Sequence, residues 1–528
     1  MEAARIQKRF NSAVTLRREI EKETFYAYKY TLPAKQSMSN VGKEQDRTQI
    51  YDGTATSSVN NLATNIESNL LPQNVMWGEL ALREATTSTL EKRNRLMKAN
   101  AVIHEHFKDS NFYLATYESI LDCVITGTGC IAIREDDEGI SYEAIPIGEL
   151  YILSNARGVI NTVFRTHELT AEQIAEHYSN IPSYVQEAVK ETPQKKYSVI
   201  ESAITNNRIT EYGVWLTTST EGNYMGITKG GEWHKLVYQK QKHNPFIVYR
   251  WTRMPGTVWG DSQVKQALPH IVTANEIMKD VLIATEYAAN GLWQDTNQGG
   301  YNPKTLRNQV GPGKVISPES KLEAMQFPGD IRVGAQTLQD HRMQIRELLF
   351  DNDLPQLAQG DNSYMTAYET SVRHEKFLRV VGKPALRFQK ELLEPVFEQV
   401  VLRMVDSGDL EMLKGIEHDI ESKVESAADK SMKISEAMND LSVLTQAIQA
   451  FTPQVIAKNV DLDKASRKFL LNTGFSVDLF KSEEEIQQQT EREEQGAQAE
   501  QALNAAQQGS DILNSLSQID ASNFALNQ

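Results

Sequence analysis

Hydrophobic positions repeat with helical spacing in the first part of the chain. Residues from about 2 to 30 predict an amphipathic helix, because their apolar positions recur every three or four residues. Its apolar face consists of Ile6, Phe10, Val14 and Ile20. Ser57–Leu71 predicts a second helix that Pro72 ends, and residues 89–127 follow a mostly helical pattern. We therefore expect a helical base at this end of the protein.

From Cys130 onward the pattern changes to short apolar segments separated by polar and glycine-containing turns. The predicted strands are Cys130–Arg134, Ser141–Ile147, Leu150–Leu153, Val159–Arg165, Arg208–Leu216, Trp233–Gln239 and Phe246–Trp251. One short helix, Thr170–His177, interrupts them. Helices followed by a β-rich region predict an α+β body for residues 1–261.

After Asp261 two predicted helices flank a compact segment, 291–332, which is called the excursion. Residues 262–290 carry an apolar stripe, with Pro269 either kinking the helix or opening its second part. Residues 291–332 are rich in glycine and proline, and a second helix follows over about Ala335–Phe350. A polar loop, Asp351–Ser363, comes next. This order is typical of a stalk with a knob at its tip.

A long helix with two unlike faces is predicted from Thr366 to Met404, opened by a capping box of Thr366 and Glu369. Its basic stripe consists of Arg373, Lys376, Arg379, Lys383, Arg387 and Lys390. Its apolar face consists of Phe377, Val381, Phe388, Leu392, Val396 and Val400. Gly382 and Pro384 predict a kink. The stripe is either a solvated face, paired with neighbouring glutamates, or a charge placed for a partner.

The C-terminal part is helical from about Lys430, and Pro453 breaks the pattern. Beyond Glu483 the composition shifts to Gln, Ala, Glu and Asn. That composition fits either a polar helix packed against its copies or a partly disordered tail.

Composition limits the possible functions. The 528 residues suffice for several packed layers, and the net charge of -15 argues against static nucleic-acid binding. An acidic surface is still compatible with DNA that must slide past it. Cys123 and Cys130 are the two cysteines, so we expect no disulfide framework and a reducing compartment. No apolar run predicts a membrane span or a signal peptide.

Catalytic motifs are not convincing. Gly311–Lys314 resembles a phosphate loop, but Asn308 stands where the first glycine is needed and Val315 where a hydroxyl is needed. His104 and His106 would point to different sides of a helix and so cannot share a metal ion. We therefore expect no catalytic, cofactor or metal residues, and no enzyme.

Several short motifs occur in a characteristic order between residue 30 and about residue 400. They are Tyr30–Pro33, Asn60–Ala63, Leu70–Pro72, Trp77, Asn111–Tyr113, Gly127, Pro245–Ile247, Arg250, Arg253, Gly256, Trp259–Gly260, Ser262, and Thr366–Ala367 with Glu369. Together these segments resemble the portal, or head-to-tail connector, family of short-tailed (podovirus-type) tailed bacteriophages. Past about residue 430 no motif matches.

The resemblance implies an α+β, mostly α, portal-like subunit and assigns each block of the chain a place in it. The blocks are the wing (1–261), the first stem helix (262–290), the clip (291–332), the second stem helix (333–350), the tunnel loop (351–364), the long kinked helix and wing return (365–429), and the helical crown with its Gln/Ala-rich tail (430–528). The implied assembly is a ring, usually dodecameric, at one capsid vertex of the virion, formed in the host cytoplasm.

The resemblance also implies partners and site residues. The partners are further copies of the chain, the terminase large subunit, a tail adaptor protein, capsid and scaffolding proteins, and double-stranded DNA in transit, with no membrane. The residues facing DNA or the channel would be Arg373, Lys376, Arg379 and Lys383. The tunnel loop would present Asp353, Pro355, Gln356, Gly360 and Asn362, and the motor and tail contact would use Lys304, Arg307 and Lys314. The alternatives are a virion scaffold without a channel and, third, a packaging-type nuclease or ATPase.

Overall fold

The structure is a computed structural model. It describes residues 2–32, 49–73, 76–83, 90–136, 139–206, 209–217, 233–290, 292–295, 322–325, 331–351, 381–416, 419–424, 441–443 and 445–446. Two compact units divide the chain, Met1–Met432 and Lys433–Gln528. In the second unit the described residues are helical, and most of the predicted C-terminal helices lie outside the described residues.

In chain order the helices are α1 (Glu2–Thr31), α2 (Thr54–Leu70), α3 (Leu90–Asp109), α4 (Phe112–Thr126), α5 (Ala171–His177), α6 (Ser183–Glu191), α7 (Gln263–Asn290), α8 (Ile331–Leu348), α9 (381–388) and α10 (Glu394–Ser407). The strands are β1 (Gly78–Leu82), β2 (Thr128–Asp136), β3 (Gly139–Ala144), β4 (Leu150–Ser154), β5 (Ile160–Thr170), β6 (Lys196–Asn206), β7 (Ile209–Thr217), β8 (Trp233–Gln241), β9 (Phe246–Arg250), β10 (Thr252–Arg253), β11 (Gly260–Asp261), β12 (Leu292–Asp295), β13 (Leu322–Met325) and β14 (Ile420–Val424).

The predicted N-terminal helices are confirmed, with one division. The segment predicted as mostly helical forms α3 and α4, which meet at Asn111. The Asn111 side chain donates to the carbonyl of Tyr142 and accepts from its backbone N–H, at 2.8 and 2.9 Å. Asn111 therefore joins the break between the two helices to β3. The helix α4 ends at Gly127, whose φ of 88° suits a residue without a Cβ.

Two antiparallel sheets form the β-rich region that the sequence predicted. One has the order β3-β2-β9 and the other is a five-stranded meander, β4-β5-β6-β7-β8. The strand predicted over Ser141–Ile147 ends earlier, at Ala144, because Pro146 leads into a 3₁₀ turn at Ile147–Glu149. The sequence did not predict α6, the central strand β6 of the larger sheet, the paired strands β1 and β14, or the two-residue strands β10 and β11.

The five-stranded sheet carries helices on both faces. On one face Ile6 and Phe10 of α1 pack on Phe164 and Trp215. On the other face α5 and α6 pack on Val199 and its neighbours. The helix α5 begins with a capping box between Thr170 and Gln173, as expected for its sequence. Most other buried apolar residues form one large core that includes α2, α4, β2, α7, α8 and the long helix.

A buried ionic network joins the two sheets. Glu201 of β6 is nearly fully buried and accepts bonds from Arg134 at 2.7 and 2.9 Å and from Tyr212 at 2.8 Å. Arg165 of β5 lies between Glu143 and Glu149, which it binds at 2.6 and 2.9 Å. Burial alone would raise the pKa of Glu201, but the charge and hydrogen bonds of Arg134 outweigh it and lower the pKa to about 2. The network therefore links residues of the three-stranded and the five-stranded sheet.

The two helices of the predicted stalk are confirmed, and α7 and α8 together form a helical hairpin. The helices α7 and α8 pack against each other, and at Gly334 a Cβ would lie 3.2 Å from Val281 Cγ2. Pro269 lies inside α7, and the helix continues past it. The described strands β12 and β13 of the excursion pair antiparallel, Leu292 with Met325 through Asp295 with Leu322. The excursion thus begins and ends on one two-stranded ribbon.

The described part of the long helix runs from residue 381 to Ser407. The backbone is α-helical at Gly382 and Pro384, where the sequence predicted a kink. The kink stays a prediction. Within the described part, the departure from α-helical geometry lies at Gln389–Leu393, a π-helical turn, after which α10 continues with Pro395 in its first turn. Gly408, with a φ of 96°, follows the end of the helix.

Candidate functional site at the root of the helical hairpin

A polar cluster holds the segment before α2 against α7. The Oδ1 of Asn275, a buried residue of α7, accepts from the backbone N–H groups of Tyr51 and Asp52, at 2.7 and 3.3 Å. Its Nδ2 donates to the carbonyl of Gln49 at 3.2 Å. One side chain therefore satisfies three backbone groups of an extended segment, which would otherwise be costly to bury.

The same segment binds α8 through an ion pair. Asp52, with a side chain 3% exposed, accepts from Arg342 Nε at 2.7 Å and from the Thr54 backbone N–H at 2.9 Å. Burial would raise the pKa of Asp52, but the hydrogen bonds from Thr54 and Arg342 outweigh it and the pKa lies below its usual value. Asp52 is thus a carboxylate that links the start of α2 to the second helix of the hairpin.

The helix α8 ends in a strained turn. Phe350 has a φ of 59°, and the Asp351 N–H donates to Arg346 O at 2.8 Å while the Phe350 N–H donates to Glu347 O at 3.1 Å. These two bonds form a Schellman motif in which phenylalanine occupies the position that glycine usually takes. A left-handed conformation costs a residue with a Cβ about 1–2 kcal/mol. Packing of the Phe350 ring against the main core offsets that cost.

Helix α2 fixes the residue that follows this turn. The two carboxylate oxygens of Asp351 accept from Ser58 Oγ at 2.8 Å and from Asn61 Nδ2 at 2.9 Å. Asn61 belongs to the Asn60–Ala63 motif that the sequence singled out. The start of the predicted tunnel loop is therefore bound to α2, in part by a residue of that motif.

A second anchor joins the long helix to the three-stranded sheet. Glu391, in the π-helical turn, accepts from Arg250 Nε at 3.1 Å, Nη2 at 2.8 Å and the Arg250 backbone N–H at 3.1 Å. The Arg250 guanidinium also donates to the carbonyls of Gly158 and Val258. Its side chain is 4% exposed, so this charge is held almost entirely by protein groups. Phe388, one turn earlier, packs against Tyr249 and Trp251.

The described part of the basic stripe contains two different kinds of ion pair. Lys390, which is 70% exposed, binds Glu394 at 2.6 Å, as on a solvated face, whereas Arg387 binds the part-buried Glu391 at 2.7 Å. Lys383 is exposed. Arg373, Lys376 and Arg379 lie outside the described residues, and so do the tunnel-loop and motor-contact residues. Those residues are Asp353, Pro355, Gln356, Gly360, Asn362, Lys304, Arg307 and Lys314.

The described residues offer little for catalysis. They contain no group of three or more His, Cys, Asp or Glu side chains arranged to hold a metal ion. Cys123 and Cys130 are buried and unbridged, and burial raises the pKa of both thiols, so neither is a ready nucleophile. None of the described helices combines the length and apolar character needed to cross a bilayer.

Comparison with known proteins identifies the family. Residues 3–480 match the family model of the bacteriophage head to tail connecting protein. The chain belongs to this family. It is similar to the portal protein of Salmonella phage epsilon15, with 24% identity over 514 residues, 92% of this chain and 90% of that one. It is also similar to a probable portal protein of Bordetella phage BPP-1, with 22% identity over 511 residues, 91% of this chain and 88% of that one.

A solved structure also aligns: a chain from the neck of an empty GTA particle, computed with C6 symmetry, with a TM-score of 0.37, 11% identity and coverage of 77% of this chain and 92% of that one. The family carries the function: a portal ring at the capsid vertex, through which DNA is packaged and ejected. The predicted family and role are confirmed.

Local sequence patterns did not identify the residues that hold the hairpin and the long helix in place, namely Asp52, Asn275, Arg342, Asp351 and Glu391. Each is an ordinary polar residue on a helix or beside one, and no local pattern distinguishes it. Arg250 was found only as part of the family motifs. Because a buried arginine needs a carboxylate partner, the presence of Arg250 among the motif residues was the available indication of an ion pair at this place.

Proposed function

We propose that the chain performs its portal role as a closed homo-oligomeric ring, dodecameric, whose subunits contact one another along the hairpin and the long helix. Family membership over residues 3–480 carries the proposal. Large apolar side chains left exposed on the single subunit support it: Leu282, Ile283 and Tyr287 on α7, and Val333 and Met343 on α8, each at least 42% exposed. Neighbouring copies would cover them.

Sedimentation velocity at micromolar protein and physiological salt tests this assembly. We expect one large species of discrete size. Glutamate substitution of Leu282 and Ile283 should shift the distribution to smaller species, whereas the same change at Leu114, an exposed residue of α4, should not. A monomer under these conditions would contradict the ring.

We assign the blocks of the subunit by analogy with the family: wing 1–261, stem helices 262–290 and 333–350, clip 291–332, tunnel loop 351–364, long helix and wing return 365–429, crown 430–528. The order of elements supports this assignment, since α7, the β12–β13 ribbon, α8 and the long helix follow one another as stem, clip, stem and channel helix require. The anchors at Asp351 and Glu391 would then hold both ends of the channel-facing segment on the wing.

The clip would contact the terminase large subunit during packaging and a tail adaptor protein afterwards, while capsid and scaffolding proteins would contact the ring during assembly. Three cations of the clip, Lys304, Arg307 and Lys314, stand on an otherwise acidic chain and would bind acidic partner surfaces. Changing all three to glutamate should leave the rings intact and reduce packaging or tail attachment. Unchanged particle yield would refute the contact.

Within the channel, the residues Arg373, Lys376, Arg379 and Lys383 would face DNA or a neighbouring subunit, and the loop residues 353–362 would line the narrowest part. An acidic ring with a few cations presents a shallow potential, so DNA is steadied without the strong counterion-release binding of a basic sleeve. Such a channel requires no covalent chemistry.

Alanine at Arg373 and Lys376 should still give rings but lower the amount of packaged DNA or its retention. The matched controls are Lys190 and Lys195, exposed lysines in the wing, where alanine should change nothing. Normal DNA content and retention in the double variant would mean that the stripe is a solvated face.

A further inference from the structure

Two histidines face each other across the hairpin. His270 of α7 and His341 of α8 place their Nδ1 atoms 3.1 Å apart, with ring centroids 5.3 Å apart and the ring planes inclined at 44°. Both side chains are half-buried, so solvent reaches the pair. Neither residue belongs to the family motifs that the sequence singled out, and the channel function makes no use of them.

The helix backbones on both sides of the pair are firmly packed. Ala267 and Ala274, one turn before and after His270, are fully buried, and Leu338 and Ile345, one turn before and after His341, are 4% and 1% exposed. The two imidazoles are therefore presented by a rigid contact and need little rearrangement to act together.

Two chemical arrangements fit the distance of 3.1 Å between the two Nδ1 atoms. Two neutral imidazoles that both carry their proton on Nε2 would direct lone pairs at each other, so either one ring moves its proton to Nδ1 and donates an N–H···N hydrogen bond, or a cation lies between them. Nitrogens bound to one zinc ion at about 2.1 Å, with an angle of about 90–110° at the metal, lie roughly 3.0–3.4 Å apart. The observed 3.1 Å falls inside that interval.

We propose that His270 and His341 form a two-imidazole site for a borderline transition cation of the zinc class, with water in the remaining coordination positions. Imidazole suits Zn²⁺, Ni²⁺ and Cu²⁺, whereas Mg²⁺ and Ca²⁺ prefer oxygen ligands. The net charge of -15 favours a cation generally. A bound ion would cross-link α7 to α8 at a fixed point and stiffen the hairpin that carries the β12–β13 ribbon.

Calorimetric titration of the full-length, metal-stripped chain with ZnCl₂ tests the site. We expect one ion per chain for the parent. His270→Gln and His341→Gln should each weaken binding by about tenfold or more, since even the loss of an outer-shell partner costs a metal site about 10–100-fold. His177→Gln, at an exposed histidine of α5, is the matched control and should bind as the parent does.

Electron paramagnetic resonance of the Cu²⁺-loaded parent supplies a readout that does not depend on variants. Two nitrogen ligands in its spectrum, together with weakened zinc binding in both hairpin variants, support the site. Zinc binding that is absent from the parent, or that is equally strong in the His270 and His341 variants, overturns it and leaves the pair as a hydrogen bond. A copper spectrum with fewer than two nitrogens also overturns it.

Discussion

Replacing Glu391 with glutamine should weaken the attachment of the long helix to the three-stranded sheet. The change removes the carboxylate that binds the Arg250 guanidinium and leaves that charge with the carbonyls of Gly158 and Val258. Because the Arg250 side chain is 4% exposed, water does not replace the lost partner. The variant therefore keeps a buried cation whose counter-charge is gone.

The magnitude follows from the burial of the pair. Breaking a buried ion pair by removing one partner costs about 3–5 kcal/mol. Glu391 is 20% exposed and two carbonyls remain near Arg250, so we expect the lower end, about 3 kcal/mol. The matched control is Glu394→Gln, which breaks the pair with Lys390, a lysine 70% exposed. An exposed pair of this kind is worth about 0.5 kcal/mol or less.

Urea unfolding followed by tryptophan fluorescence is the assay. Trp251 is 1% exposed, and its ring centroid lies 5.9 Å from that of Phe388, so it reports separation of the long helix from the sheet. Subtracting the signal of a Trp251→Phe background isolates this probe. Equal losses of stability in the Glu391→Gln and Glu394→Gln variants would refute the role assigned to the buried anchor.

Two further predictions concern the wing network and the hairpin root. Burial lowers the pKa of His167 to about 4, so the unfolded chain binds the proton first as the pH falls, and stability should decrease by up to about 3 kcal/mol between pH 6.5 and 4. Urea midpoints measured against pH should show that His167→Gln removes this decrease; an unchanged slope would contradict the buried, neutral histidine. Asp351→Ala should cost about 1–3 kcal/mol, because Ser58 and Asn61 lose their acceptor. Asp340→Ala, at an exposed position of α8, should cost under about 0.5 kcal/mol, and equal costs would contradict the anchor.

The helices that the sequence predicted have one buried face. The helices α1, α2, α7 and α8 each place apolar residues on one face, and periodicity detects this arrangement. Strand β6 was missed although β5 and β7, which are also buried over most of their length, were predicted. Its short apolar runs are interrupted by Glu201 and Ser202, and Glu201 belongs to the buried ionic network.

The contacts made by Asp351 and Glu391 could not be predicted because they join residues that are far apart in the chain. Arg250 and Glu391 are 141 positions apart in the chain, and Ser58 and Asp351 are 293 apart. Local patterns carry no record of such pairs, which exist only once the elements have packed. The π-helical turn at Gln389–Leu393, where Glu391 binds Arg250, likewise has no signal in the local sequence pattern.

Cryo-electron microscopy of the purified full-length chain tests the portal ring most directly. We expect closed rings with a central opening wide enough for double-stranded DNA, the α7–α8 hairpins arranged side by side around the axis, and the long helices next to the opening. Irregular assemblies without a hole would instead indicate a virion scaffold protein. Monomers, or rings whose hairpins point away from the axis, would contradict the portal ring proposed for this chain.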